Sequence, residues 1–142
     1  MSRSIRVDVR GVQEVVKALE DVRNAVPENT LKAMDIIGAH VSTHVKLHKL
    51  SNQVLHVRSG NLRRNVNHQV VLEVGGEIAV VVGVRDTVPY GRIHELGGKS
   101  GHNLSSVIPA RPYLKPSVDE NEQFIMDTIN RGTDLATKGQ VL

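Results

Sequence analysis

Proline placement constrains this chain more than any other feature. Four of its five prolines, Pro89, Pro109, Pro112 and Pro116, fall between residues 89 and 116. Proline lacks a backbone donor, fixes its own φ and pushes the preceding residue out of the helical region. Continuous helix is therefore expected before and after this stretch and not through it. Pro109-Ala110-Arg111-Pro112-Tyr113-Leu114-Lys115-Pro116 reads as a stiff, extended connector that leads into a terminal helix. Such a shape suits presenting a surface to a partner better than lining a catalytic cleft. Between the proline clusters, Lys99 to Val107 is polar and rich in Gly and Ser, so a mobile loop is expected there, with Leu104, Val107 and Ile108 as contact points.

Around that stretch the periodicities give an α+β chain. Ile5, Val7 and Val9 alternate with polar residues as in a half-buried strand, and Gly11 follows. Val12, Val15, Val16, Leu19 and Val22 recur at helical spacing and predict a short first helix. Pro27 fits the first turn of a second, longer helix running to about Leu50, with Leu31, Met34, Ile37, Val41 and Val45 as its apolar stripe. Ser51 to Asn65 reads as a polar turn region anchored by Leu62. A hairpin follows, centred on Gly75-Gly76. A three-residue loop, Gly75-Gly76-Glu77, pairs Val74 with Ile78, Leu72 with Val80 and Val70 with Val82, which puts these six side chains on one face. Ala79 and Val81 make the second strand apolar on its other side too, so it is expected to be central or covered. Val118 to Leu135 predicts the terminal helix, buried through Phe124, Ile125 and Ile129. The expected architecture is an antiparallel sheet with a long helix packed on it, in one domain over residues 1–136 with a loose tail over 137–142.

Only three aromatics are present, Tyr90, Tyr113 and Phe124, so the core must be built largely from Val, Ile, Leu and Ala. There is no cysteine, which excludes disulfides and thiolate chemistry. No apolar run approaches the roughly 20 residues that span a bilayer, and the first ten residues lack the apolar core of a signal peptide. A soluble, cytosol-made protein is expected. Net charge is +3 (18 basic, 15 acidic), but it is segregated. Ile36 to Leu72 holds no Asp or Glu and carries Lys46, Lys49, Arg58, Arg63 and Arg64, whereas Asp119, Glu120, Glu122, Asp127 and Asp134 cluster near the C-terminus. Blocks of this kind mark interaction surfaces or solvated faces.

Motifs for chemistry fail on inspection. His94-Glu95-Leu96-Gly97-Gly98 opens like a zinc-protease motif, but the second histidine is missing. Gly97-Gly98-Lys99-Ser100 ends like a phosphate-binding loop without the glycine it needs at Ile93. His40, His44 and His48 share one helical stripe, yet no cysteine or carboxylate nearby completes a metal site. No serine sits in a nucleophile elbow, and on a strand His94 and Glu95 would face opposite ways. Catalysis, a cofactor and a metal are not expected. A small nucleic-acid-binding or regulatory protein that uses the basic region 46–64 is the alternative function. Its nucleic-acid contacts would be to phosphates, salt-sensitive and sequence-blind, and no aromatic precedes Tyr90 to stack on bases.

The order Pro89-Tyr90-Gly91-Arg92-Ile93-His94-Glu95-Leu96-Gly97-Gly98, a variable loop, Pro109-Ala110-Arg111-Pro112-Tyr113-Leu114-Lys115-Pro116-Ser117 and a helix resembles the neck and tail-completion proteins of tailed bacteriophages. These include the virion morphogenesis proteins of Mu-like phages and the minor tail component family of lambdoid phages. Arg58-Ser59-Gly60-Asn61-Leu62-Arg63-Arg64 resembles their Ser/Thr-Gly-x-Leu-Arg turn, and the likeness covers roughly residues 11–130. Leu96 and Tyr113 stand where Phe is commoner. The resemblance implies a virion structural protein, assembled in the host cytoplasm, that forms a sixfold or twelvefold ring at the head–tail junction. Its partners would be neighbouring neck, connector or tail-terminator proteins, with duplex DNA passing through the channel and no membrane. Candidate assembly residues are Tyr90, His94, Glu95, Arg111, Tyr113 and Leu114, with Leu104 and Ile108 from the loop. Arg111 is expected to tie the connector to backbone carbonyls or to Glu95. The basic surface of Lys46, Lys49, Arg58, Arg63 and Arg64 is expected to face either the acidic helix of the next subunit or DNA.

Overall fold

The computed structural model describes residues 12–51, 54, 55 and 59–142; the strand expected over Ile5–Val9, and Arg58, lie outside them. The architecture is α+β, as the patterning implied: a long helix packs on an antiparallel hairpin, and a C-terminal helix packs along that long helix.

Where two helices were expected, one continuous helix, α1, runs from Val12 to His44 and ends in a π-helical turn over Val45–Lys49. Pro27 lies inside it and not at a second start. Its ring is exposed, as is Arg23, whose carbonyl loses its intrahelical donor and can turn to water. The buried stripe also differs from the expected one. Ala25, Asn29, Ala33, Ile37, Val41 and Val45 form the inward row, while Leu31 is exposed and Met34 half-buried. Two small residues and an asparagine carry no hydropathy signal, yet they let the partner helix come close. Val15, Val16 and Leu19, expected to be buried, are exposed because nothing among the described residues covers the first turns of α1.

A short helix, α2 (Asn61–Asn65), starts at Gly60, whose φ of 68° suits glycine. It feeds the hairpin of β1 (Val66–Leu72) and β2 (Ile78–Val84). The register is Val66↔Val84, Val70↔Val80 and Leu72↔Ile78, one pair removed from the expected one. The loop is Val74-Gly75-Gly76, closed by Glu73 N–H donating to the Glu77 carbonyl at 2.8 Å. Both glycines have positive φ (102° and 84°), so the turn places them together at its apex end and leaves Val74 to lead it. The shift is an even number of residues, so the apolar side chains keep a common face. β2 was expected to be central or covered; among the described residues its sheet has two strands, and Val81 is 55 % exposed. Gly38 on α1 lets the helix lie on the hairpin, since a Cβ there would sit 2.5 Å from the His68 ring and 2.8 Å from Val80 Cγ2.

After β2 the chain forms α3 (Tyr90–Leu96), with Pro89 capping its start. The motif segment is thus helical. The Lys99–Val107 stretch, expected to be a loop, is a ribbon of β3 (Gly98–Ser100) and β4 (Ser106–Ile108) joined by a 3-10 turn. Gly97 (φ +73°) admits this crossing, because a Cβ would lie 2.9 Å from the Ala110 nitrogen. The terminal helix comes in two pieces, α4 (Lys115–Asp119) and α5 (Glu122–Thr137). Gly132 of α5 faces Ala33 and Asn29 of α1 at ordinary contact distance. Asn29 Nδ2 donates to the carbonyls of Gly132 and Gln140, and Leu142 N–H donates to Asn29 Oδ1. The tail expected to be loose is therefore held to α1. One core gathers Val45, Leu50, Leu55, Val66 and Tyr113, with Leu62, Val82, Val84 and Leu114 against it. No helix among the described residues is long and apolar enough to cross a membrane.

Candidate interaction site

The two motif blocks fold into one clasp. Glu95, on the last turn of α3, points its carboxylate at the start of α4. It accepts the backbone N–H groups of Tyr113 (2.7 Å), Leu114 (2.9 Å) and Lys115 (3.0 Å). These are donors that a helix start leaves unpaired, and a carboxylate there also meets the favourable end of the helix. Arg111 does not make this tie, contrary to expectation. Its side chain is exposed, and only its backbone N–H joins the clasp, donating to the His94 carbonyl at 2.7 Å. An arginine fork was expected to satisfy carbonyls, but the extended connector offers amides to α3, and amides call for an acceptor.

Tyr113 anchors the clasp in the core. Its ring is buried, and its hydroxyl donates to the Gly91 carbonyl at 3.0 Å. Burial, with Glu95 nearby, pushes the phenol up to about 12, so it stays un-ionised and can donate. From there a polar chain runs to α1: Ser117 Oγ donates to the Tyr113 carbonyl, Asn121 Nδ2 to the Ser117 carbonyl, and Asn121 Oδ1 pairs with His40 Nε2 at 2.8 Å. His40 also stacks on Phe124 at 3.8 Å. His40 and His44 of the histidine stripe thus face the chain's own C-terminal segment, and exposed His48 packs on His44.

In front of the clasp lies a cleft of about 550 Å³. Leu50, Leu55 and Leu62 line its apolar part, and Arg63, Tyr90, His94 and Arg111 its polar part. Sequence reasoning named all four of these polar residues, and the fold brings them together. It missed Asn61, which donates to the Tyr90 hydroxyl at 3.2 Å, and the leucine floor. The Ser59-Gly60-Asn61 turn was the available signal for Asn61; the floor had none, since it is assembled from separate segments. Neither Arg63 nor Arg111 has a side-chain partner among the described residues, and no carboxylate lines the cleft. His94 Nδ1 is buried without a hydrogen-bond partner among the described residues. Leu104 stands apart, exposed on the ribbon turn, and Ile108 is half-buried on β4.

The basic block is divided. Lys49 is paired with Glu120 within the chain, and His44 Nε2 lies 3.5 Å from the same carboxylate. Part of the charge expected to meet a neighbour is thus already neutralised. Lys46 is half-buried on the π-turn, and Arg64 is exposed on α2. The hydrogen bond from Lys49 holds the Glu120 carboxyl below its ordinary 4.5. Burial, then His48, pushes His44 below 6.5, outweighing the upward pull of Glu120. Both groups therefore bind protons more readily in the unfolded chain, so their contribution is complete above about pH 6.5 and falls as the pH drops. Melting temperature should decline from pH 7 to pH 5, and His44→Gln should flatten that decline. An unchanged slope in the variant would remove His44 from the cause.

No family model and no solved structure matches the chain. It is 27% identical over 130 residues to the Mu-like prophage FluMu G protein 2 of Haemophilus influenzae, a span covering 87% of this chain and 92% of that protein. The chain is therefore similar, over nearly its whole length, to a protein of a Mu-like prophage.

Proposed function

We propose that this chain is a structural virion protein of a tailed phage, a neck or tail-completion subunit that assembles into a ring at the head–tail junction. The observation that carries the reading is the clasp. Two motif blocks that resemble the neck proteins lie next to each other, locked by Glu95, and present Tyr90, His94 and Arg111 outward on one cleft. The similarity to a prophage protein over most of the chain supports a phage role. Exposed apolar side chains at Val15, Leu19, Leu104 and Val107 give the subunit surface to bury against neighbours. The ring would be sixfold or twelvefold, docked on neighbouring neck, connector or tail-terminator proteins. The protein is not an enzyme on this reading, and it uses no cofactor. A second reading, contact with duplex DNA, is favoured by the unpaired Arg63 and Arg64. Native mass spectrometry, alone and with tail components, tests the choice. A discrete sixfold or twelvefold species, or a stable tail complex, is expected. A monomer that joins no tail component and binds duplex tightly would overturn the ring.

A further inference from the structure

The cleft and the hairpin tip have complementary chemistry and lie at opposite ends of the same hairpin. α2, which lines the cleft, leads directly into the first residue of β1. The tip lies at the other end, seven residues along, or roughly 23 Å at the usual rise of a strand. Val74 at the tip is fully exposed (104 %), and Leu72 is 70 % exposed. Glu73 and Glu77 flank them, and neither carboxylate has a side-chain partner among the described residues. Gly75 and Gly76 have open space around them, so the tip is narrow and stands clear of the domain. The cleft shows the converse: Leu62 is half-buried beside Leu50 and Leu55, which are 2 % and 7 % exposed, and Arg63 and Arg111 are unpaired among the described residues.

We infer that the hairpin tip of one copy inserts into the cleft of the next, with Val74 and Leu72 meeting the apolar floor at Leu62 and Glu73 and Glu77 meeting Arg63 and Arg111. The inference rests on the ring reading above and supplies its subunit contact. An apolar floor favours a protein segment over a nucleic-acid backbone, whose phosphates would leave Leu62 uncovered. The terminal acidic helix is a poorer occupant, because Lys49 already holds Glu120 and Lys115 holds Asp119. Made in one direction only, the contact is head-to-tail, and it forms a ring where the rotation per subunit closes.

The absence of cysteine makes the test clean. Chains carrying Val74→Cys and chains carrying Arg63→Cys are mixed and oxidised. Each chain then holds a single cysteine, so every disulfide that forms joins two chains. A mixed dimer is expected, and an Asn130→Cys control, exposed on α5, should give none with Arg63→Cys. Glu73→Lys with Glu77→Lys should weaken self-association roughly 30-fold or more, and Arg63→Glu with Arg111→Glu on the same chain should restore it. All these positions are exposed, so unchanged melting temperatures certify the fold. Rings that persist in the lysine variant, with no mixed dimer, overturn the tip contact and leave the ring standing. A mixed dimer within open filaments keeps the contact and removes the ring. A wild type that is monomeric throughout overturns both. Loss of duplex binding in Arg63→Glu/Arg111→Glu, with assembly intact, assigns the arginines to DNA and also overturns the contact.

Discussion

Tyr113→Ala should be the most damaging single substitution in this chain, lowering stability by about 4 kcal/mol and the melting temperature by roughly 15 °C. Tyr113 is 1 % exposed and sits among Val45, Leu50, Leu55 and Val66, where its ring joins the connector to the end of α1 and the start of β1. Truncation leaves a ring-sized void in a core that holds no other aromatic, and neighbouring Val and Leu side chains are too short to collapse into it. It also strands the Gly91 carbonyl, which accepts from the hydroxyl. Tyr113→Phe separates these effects: it keeps the ring and should cost only about 1 kcal/mol. Tyr90→Ala is the matched control, since Tyr90 is 39 % exposed. Equal losses for the two alanine variants would show that the Tyr113 ring is not the keystone described here.

Glu95→Ala should rank second, at about 3 kcal/mol. The carboxylate accepts from three consecutive amides, and hydrogen bonds to a charged group contribute more than neutral ones. Without it the start of α4 has no side-chain cap. Glu95→Gln keeps one acceptor oxygen and should lose roughly half as much. Amide exchange reports on the mechanism directly: the N–H groups of Tyr113, Leu114 and Lys115 should exchange faster in Glu95→Ala, while those of β1 and β2 keep their relative protection. Uniformly faster exchange would mean that the residue serves global stability and not the clasp. Because Glu95 and Tyr113 act on the same short segment, their losses should not add, and the double variant should be more stable than the sum predicts.

Several features of the clasp and its surroundings were legible in the chain. Val and Ile alternation on both sides of two glycines could form only a hairpin, and the need to keep apolar residues on one face limited the register to shifts of even length. Proline at 89, 109 and 112 kept long helices out of the middle. The ordered motif blocks marked Tyr90, His94, Glu95 and Arg111 before any coordinates. Those signals are local, because backbone sterics and side-chain alternation act between residues close in sequence.

What the sequence could not settle depended on partners far along the chain. Asn29 in the interior of α1 looks like a surface residue until Gly132, Gln140 and Leu142 supply its hydrogen bonds. Pro27 looks like a helix start until the tertiary fold leaves it on the exposed side of a single helix. Glu95 and Arg111 are both plausible anchors by charge, and the direction of the connector made the difference by presenting amides and not carbonyls. Lys49 and Glu120 belong to opposite charge blocks in the sequence, yet the packing of α4 against the end of α1 joins them within one molecule. Periodicity and proline sterics thus determined which elements form; only packing, by fixing which buried polar group meets which distant partner, determined where those elements stop and what their side chains do.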